Sequence, residues 1–165
     1  GMVRRRARAI IAPMFFDLAI EFDPVTKRGD LALGEDGDLA IDETSITPVL
    51  LSVGLDARAS EEDVLPVGRG ELLVPAAFGE RRGWAGDALD PAGERTGSLL
   101  WLLDRAKATE TTRLMVEFWL AACLRWAERE TGAPAEIEVK WLAREALFFR
   151  VLVAGDGVEL TQGIA

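Results

Sequence analysis

Residues 109–143, "TETTRLMVEFWLAACLRWAERETGAPAEIEVKWLA", change period part-way along, and that change sets the fold class. Up to Thr131 the apolar residues recur at helical spacing. Leu114, Met115, Phe118, Ala122 and Trp126, with Leu120 and Leu124, form a broad apolar face. Thr109 is placed to cap this helix, although Thr112 stands where a full capping box has Glu or Gln. Gly132 ends it and Pro134 follows, both stop signals. From Ala135 the period is two: Ile137, Val139 and Trp141 alternate with Glu136, Glu138 and Lys140. The next stretch, "EALFFRVLVAG", reads as a more buried strand. "DGVELTQGIA" then turns at Asp156-Gly157 and adds a last short strand.

Toward the N-terminus, "GSLLWLLDRAK" opens a second helix near Gly97 or Ser98. Residues 59–95 are rich in Gly, Pro and charge and have no period, so they read as a long loop, the kind that tends to be functional. Within it "ELLVPAAFG" is a candidate short strand or inserted hairpin. A helix is expected from Thr47 to Arg58, with Thr44 or Ser45 as cap and Pro48 in its first turn. "FFDLAIEFD" at 15–23 alternates, with Phe16, Leu18, Ile20 and Phe22 on one side, as a half-buried strand does. "DLAL" and "DLAID" flank a tight turn at Asp36-Gly37. The expected architecture is α+β: an N-terminal antiparallel β-meander, a helix, a long loop, two helices and a C-terminal β-hairpin with its strands. Residues 15–165 read as one domain, and residues 1–14 as a flexible basic arm.

Composition removes several function classes. The net charge is −9, which argues against a nucleic-acid binder, whose affinity depends on a basic footprint. No apolar run approaches the roughly 20 residues of a membrane span. A basic head and an apolar patch suggest a signal peptide at the start, but Pro13 interrupts the patch, no small-residue cleavage site follows and Asp17 comes at once. The single cysteine, Cys123, lies in the apolar run "FWLAACLRW" and reads as a small core residue, with the cytoplasm as the natural compartment. There is no histidine, which removes the commonest general base, the Ser-His-Asp and Cys-His arrangements and nearly every zinc site. "GEDGD" and "DPVTKRGD" lack the register of a calcium loop, and "GRGELL" lacks the lysine element of a phosphate loop. No metal and no cofactor are expected. A carboxylate pair for glycoside hydrolysis is available in any chain with 28 acidic residues; Asp87, Asp90 and Glu94 qualify only by lying in the loop.

The loop's densest chemistry is "GERRGWAGDAL", Gly79 to Leu89. Gly83 and Gly86 permit backbone positions closed to other residues. Trp84 offers a large apolar area with one donor, and Arg81 and Arg82 offer planar forks for carboxylates or carbonyls. Arg beside Trp is the composition of interface hot spots. The plainer alternative is a loop folded on its own domain, with Trp84 at the core edge and one arginine paired to Asp87.

"GDLALGEDGDLAIDETSITPVLLSVGLDARASEEDVLP", then "RRGWAGD", then "GSLLWLLDRAKATE", followed by the long helix and "AEIEVKWL", resembles the Mu-like phage and prophage baseplate family across most of residues 17–160. Ala85 stands where that family often has a second aromatic. The family is similar to the small baseplate wedge proteins once called tail lysozymes. The resemblance implies a structural, non-enzymatic component of the inner baseplate of a contractile tail, put together in the bacterial cytoplasm. It implies a larger wedge protein and tail sheath or tube proteins as partners, and no nucleic acid or membrane. Carried over by position, the partner-binding candidates are Arg81, Arg82, Gly83, Trp84, Gly86 and Asp87, then Trp101, Asp104 and Arg105, with Leu102 and Lys107 in the same motif. The C-terminal β segment is implied to be a platform for sheath assembly by strand addition. On that reading, deletion of residues 156–165 leaves folding intact and abolishes sheath nucleation. A peptidoglycan-cleaving tail lysozyme is the alternative.

Overall fold

The computed structural model describes residues 15–23, 25–26, 28–66, 79–91, 93–104 and 106–163. The basic arm at 1–14 and nearly all of "ELLVPAAFG" lie outside them. The helix-to-strand switch stands at the centre of the architecture. Helices α1 (Ile46–Gly54), α2 (Glu110–Cys123) and α3 (Arg125–Thr131) accompany an antiparallel sheet of β5 (Glu136–Ala143), β6 (Ala146–Val153) and β7 (Asp156–Gly163), in the order β5-β6-β7. This is the expected α+β class.

The core forms where one sheet face meets α1 and α2. On β6 every second residue, Leu147, Phe149, Val151 and Val153, is buried. They pack with Val49 and Val53 of α1 and with Val116 and Leu120 of α2. The stripe α2 turns inward is Thr112, Val116, Trp119 and Leu120. Leu114, Met115 and Phe118, expected on the core face, are exposed. The apolar set of α2 is wider than one helix face, so periodicity alone left its rotation open. The helix is also not continuous: Leu124 leaves helical geometry at φ −105° and ψ 15°. Leu124 at the break and Ala127 beyond it are both buried. Thr109 caps α2 by accepting from the Thr112 N–H, and Gly132 closes α3 in the left-handed region.

"GSLLWLLDRAK" forms only a 3₁₀ turn, Leu100–Leu103. Three residues per turn eclipse positions i and i+3, which lets this short piece bury both Leu100 and Leu103. The C-terminal hairpin turns at Ala154-Gly155, both at positive φ, and not at Asp156-Gly157. Val153 pairs with Asp156, which leaves a two-residue loop, the tightest hairpin connection. Strand β7 is therefore no short appendage: it pairs with β6 from Asp156 to Gly163, and Val158 and Leu160 pack on the core.

Helix α1 starts one residue before the expected Thr47 and stops at Gly54, four short of Arg58. Neither cap candidate works as expected alone. Ser45 is the cap residue, but its hydroxyl donates to the Val153 carbonyl at 2.8 Å and ties the helix to the sheet. The free N–H groups are taken by Asp42, which accepts from the Thr47 N–H at 2.9 Å, and by Thr44, which accepts from Ile46 at 3.1 Å. Desolvation pushes the Asp42 carboxyl up, but the hydrogen bonds from Thr44 and Thr47 outweigh it and leave the pKa below its ordinary value. A lowered carboxylate stabilises the fold above its unfolded pKa of about 3.9, and that contribution is lost as pH falls through the folded value. Asp42→Asn removes the acceptor of the Thr47 N–H and is expected to cost about 1 kcal/mol at pH 7 and less at pH 2. Urea melts of both proteins at the two pH values check this.

The N-terminal strands are β1 (Asp17–Leu18), β2 (Ile20–Asp23), β3 (Arg28–Leu31) and β4 (Ile41–Asp42). They form two ribbons, β1-β4 and β2-β3, where one meander was expected. Three alanines join the ribbons. The Ala19 N–H donates to the Ala40 carbonyl, Ala32 to Ala19, and Ala40 to Ala32, at 2.9, 2.9 and 3.0 Å. The hairpin turn at Asp36-Gly37 is present, with Gly37 at φ 82°.

Candidate functional site

The Arg81–Asp87 motif sits on an extended segment, Leu55–Ala59, that the sequence reading had assigned partly to helix. Ala57 and Ala59 point inward and are buried, so Asp56 and Arg58 face the motif. That period-two alternation was visible in "LDARA" and is the signal that could have found Asp56 and Arg58. The long loop leaves and returns at one clasp. The Ala59 N–H donates to the Arg81 carbonyl at 3.0 Å. The Arg81 guanidinium donates to the Ser60 carbonyl, and to that of Glu61 at 3.4 Å.

Arg82 lies between two partners. It is 2.7 Å from the Asp56 carboxylate, and its guanidinium stands 4.6 Å from the centre of the Trp101 ring. Trp101 is held in turn by its indole N–H, which donates to the Ala57 carbonyl at 2.9 Å. The turn is tight enough to put Arg82 itself in the left-handed region, at φ 49°. Gly83 follows at φ 106°, where a Cβ would come within 2.7 Å of the Arg58 Cβ. Only glycine suits both demands. The ion pair of the motif is thus Arg82–Asp56, and not the Arg–Asp87 pair of the plainer alternative.

Past the turn, Ala85–Leu89 form a 3₁₀ helix. The Trp84 ring lies over Gly86, because a Cβ at Gly86 would run into the ring. Trp84 is 52% exposed and so is not at the core edge. Asp87 serves the loop through Oδ1, which accepts from the Thr96 N–H at 2.9 Å. Its Oδ2 is buried and accepts no hydrogen bond among the described residues. Asp104 ends the Leu100–Leu103 turn and is exposed, whereas Arg105 lies outside the described residues.

The other loop carboxylates also have structural work. Asp90 accepts from the Glu94 N–H at 2.6 Å, and Glu94 is paired with Arg129. The hydrogen bond from Arg129 holds the Glu94 carboxyl below its ordinary value, opposite to what a general acid needs. Burial pushes the Cys123 thiol up to about 12, which suits a packing residue and not a nucleophile. No helix among the described residues is long and apolar enough to cross a membrane.

Arg82, Asp56, Trp101 and Asp104 also line one side of an open groove of about 700 Å³. Its apolar walls come from Ile20, Leu31, Leu51 and Leu160, so the N-terminal ribbon, α1 and β7 all contribute. The motif thus brings Arg82, Trp101 and Asp104 to this groove, while Trp84 and Asp87 belong to the adjoining 3₁₀ turn. The arrangement suits binding: a rigid clasp, a half-exposed indole and an apolar channel edged with charge.

The model of the phage protein GP46 family matches residues 45–159. The chain is 35% identical over 125 residues to baseplate protein gp46 of Escherichia phage Mu, covering 75% of each chain. No solved structure matches it. The Mu-like likeness first carried by "RRGWAGD" and "GSLLWLLDRAKATE" holds over most of the fold, and the chain belongs to the phage GP46 protein family.

Proposed function

We propose that this chain is a structural component of a phage-tail baseplate, part of the inner wedge, and not an enzyme. The observation that carries the reading is the 35% identity to the Mu baseplate protein along three quarters of both chains. The geometry supports it. The arginines that catalysis or ligand capture would need are spent on internal contacts, while Trp84 and Leu89 stand exposed beside them. The partner is a larger wedge protein, and the half-exposed Trp84 turn is its docking point. Size-exclusion chromatography with light scattering, on a mixture with the larger wedge protein encoded beside this one, tests the reading. A stable complex is expected; two separate species at micromolar concentration would count against it.

The C-terminal sheet supplies the second contact, offering an edge to tail sheath subunits. Its two edges differ. Strand β5 is packed by α2, and Arg113 donates to its Val139 carbonyl at 3.2 Å. Among the described strands β7 pairs with β6 alone, and α1 packs against it. Because β7 is paired along its length, deleting residues 156–165 would damage the fold, and a finer cut is needed. Adjacent residues of an edge strand point their N–H groups alternately toward the neighbouring strand and outward. Of Thr161→Pro and Gln162→Pro, one is expected to destabilise the protein and the other to leave it folded but unable to nucleate sheath. Normal sheath assembly by both variants would rule out edge pairing at this end of β7.

A further inference from the structure

Helix α2 carries a second apolar surface that the core does not use. Its buried stripe is Thr112, Val116, Trp119 and Leu120. At the helical period the opposite line runs through Glu110, Leu114, Phe118 and Ala121, with Met115 beside it. All five are exposed, Leu114 by 51% and Phe118 by 65%. None of them lines the groove beside Trp101. Leucine, methionine and phenylalanine exposed at adjacent positions of one helix form a contact surface, unlike apolar residues scattered singly.

The two ends of this line carry opposite charge. Glu110 lies in the first turn of α2, its side chain 67% exposed although one oxygen meets Arg113. Arg125 stands exposed at the start of α3, and its guanidinium has no hydrogen bond or ion pair among the described residues. At the helical rise the two positions are about 22 Å apart. A surface that is acidic at one end, apolar in the middle and basic at the other is its own complement when turned end for end. Antiparallel docking about a two-fold axis beside Phe118 sets Glu110 of each copy against Arg125 of the other. The same register sets Leu114 against Ala121, a large side chain against a small one. Parallel docking would instead stack Glu110 on Glu110 and Arg125 on Arg125. We propose that the outer face of α2 is an isologous, antiparallel docking surface for a second copy of this chain. A strip one helix wide and four turns long is well under the ~800 Å² that each partner gives to a standard interface. The pair is therefore weak, with an expected Kd on the order of 10–100 μM. The inference does not depend on the baseplate reading.

Sedimentation equilibrium on the full chain, from about 5 to 500 μM, tests it. The wild type is expected to pass from monomer to dimer over that range. Phe118→Glu is expected to stay monomeric throughout, with circular dichroism checking that its fold persists. Glu110→Arg and Arg125→Glu each turn both attractive pairs into repulsive ones, and each should weaken self-association about tenfold. Mixed in equal amounts, these two variants meet with opposite charges at both ends of a mixed pair, and association should return to the wild-type level. A damaged helix would not be rescued in this way. A wild type that is monomeric to the top of the range overturns the proposal, as does a dimer that Phe118→Glu leaves intact. A mixture no tighter than either variant alone also overturns it, because the antiparallel register requires the rescue.

Discussion

Gly97→Ala is expected to destabilise the protein by about 4 kcal/mol and to lower its melting temperature by roughly 10 °C. Gly97 has φ 97°, a region that costs any other residue about 1–2 kcal/mol. A Cβ there would drive into the Leu55 carbonyl and lie 2.9 Å from the Ala57 nitrogen. Those backbone groups are the crossing that seats the motif. The Ser98 N–H donates to the Leu55 carbonyl at 2.8 Å and Ala57 donates back to Ser98 at 2.9 Å. The buried Ser98 hydroxyl donates to the Val53 carbonyl at 2.7 Å. Displacing the crossing leaves buried polar groups unpaired, each costing about 1–3 kcal/mol. Gly155→Ala is the control: its φ is 94°, yet nothing lies within 4 Å of a Cβ there, so only the backbone term applies. Chemical melts of both variants decide it. Equal losses would mean that the close approach to Leu55 carries no weight.

How much of this was legible in the sequence depends on which interaction set each element. The strands β5 and β6 and the helix α2 follow their periods, because their own residues make the core. The rotation of α2 did not follow. Leu114, Met115 and Phe118 look as fit for burial as Val116, Trp119 and Leu120, and only packing on the C-terminal sheet chooses between them. "GSLLWLLDRAK" has a helix-like composition, but the crossing at Leu55–Ser98 pins its start and allows one 3₁₀ turn. The hairpin at residues 153–156 was misplaced by two residues because Asp-Gly is the stronger local turn signal, and the register with β6 overrode it. At the candidate site the motif residues were found by their unusual composition. Their partners Asp56 and Arg58 were not, since they come from a segment whose alternation covers only five residues, too few to distinguish from a helix end.

The arginines and the tryptophan of the motif are expected to separate cleanly when stability and partner binding are measured side by side. Arg81→Ala/Arg82→Ala removes the loop clasp at Ser60 and Glu61, the Asp56 ion pair and the stacking on Trp101. The ion pair contributes little, since both side chains are more than 40% exposed. The cation–π contact is worth about 1 kcal/mol and the carbonyl bonds somewhat more, for a total near 2–3 kcal/mol of folding stability. Binding to the larger wedge protein, measured below the melting temperature, should change little, because those groups are engaged in contacts within their own chain. Trp84→Ala should do the opposite. The ring is half exposed and rests on Gly86, so its loss costs the fold under about 1 kcal/mol. At an interface a tryptophan of this kind is a hot spot, and its truncation should weaken the complex by about 2 kcal/mol or more, roughly thirtyfold in Kd. Gly86→Ala should mimic it in part, since the added methyl displaces the ring without removing it. If the arginine variant instead loses the partner while keeping its stability, the clasp must open on binding. If Trp84→Ala leaves Kd unchanged, the partner docks elsewhere, and the 700 Å³ groove beside Trp101 becomes the place to look.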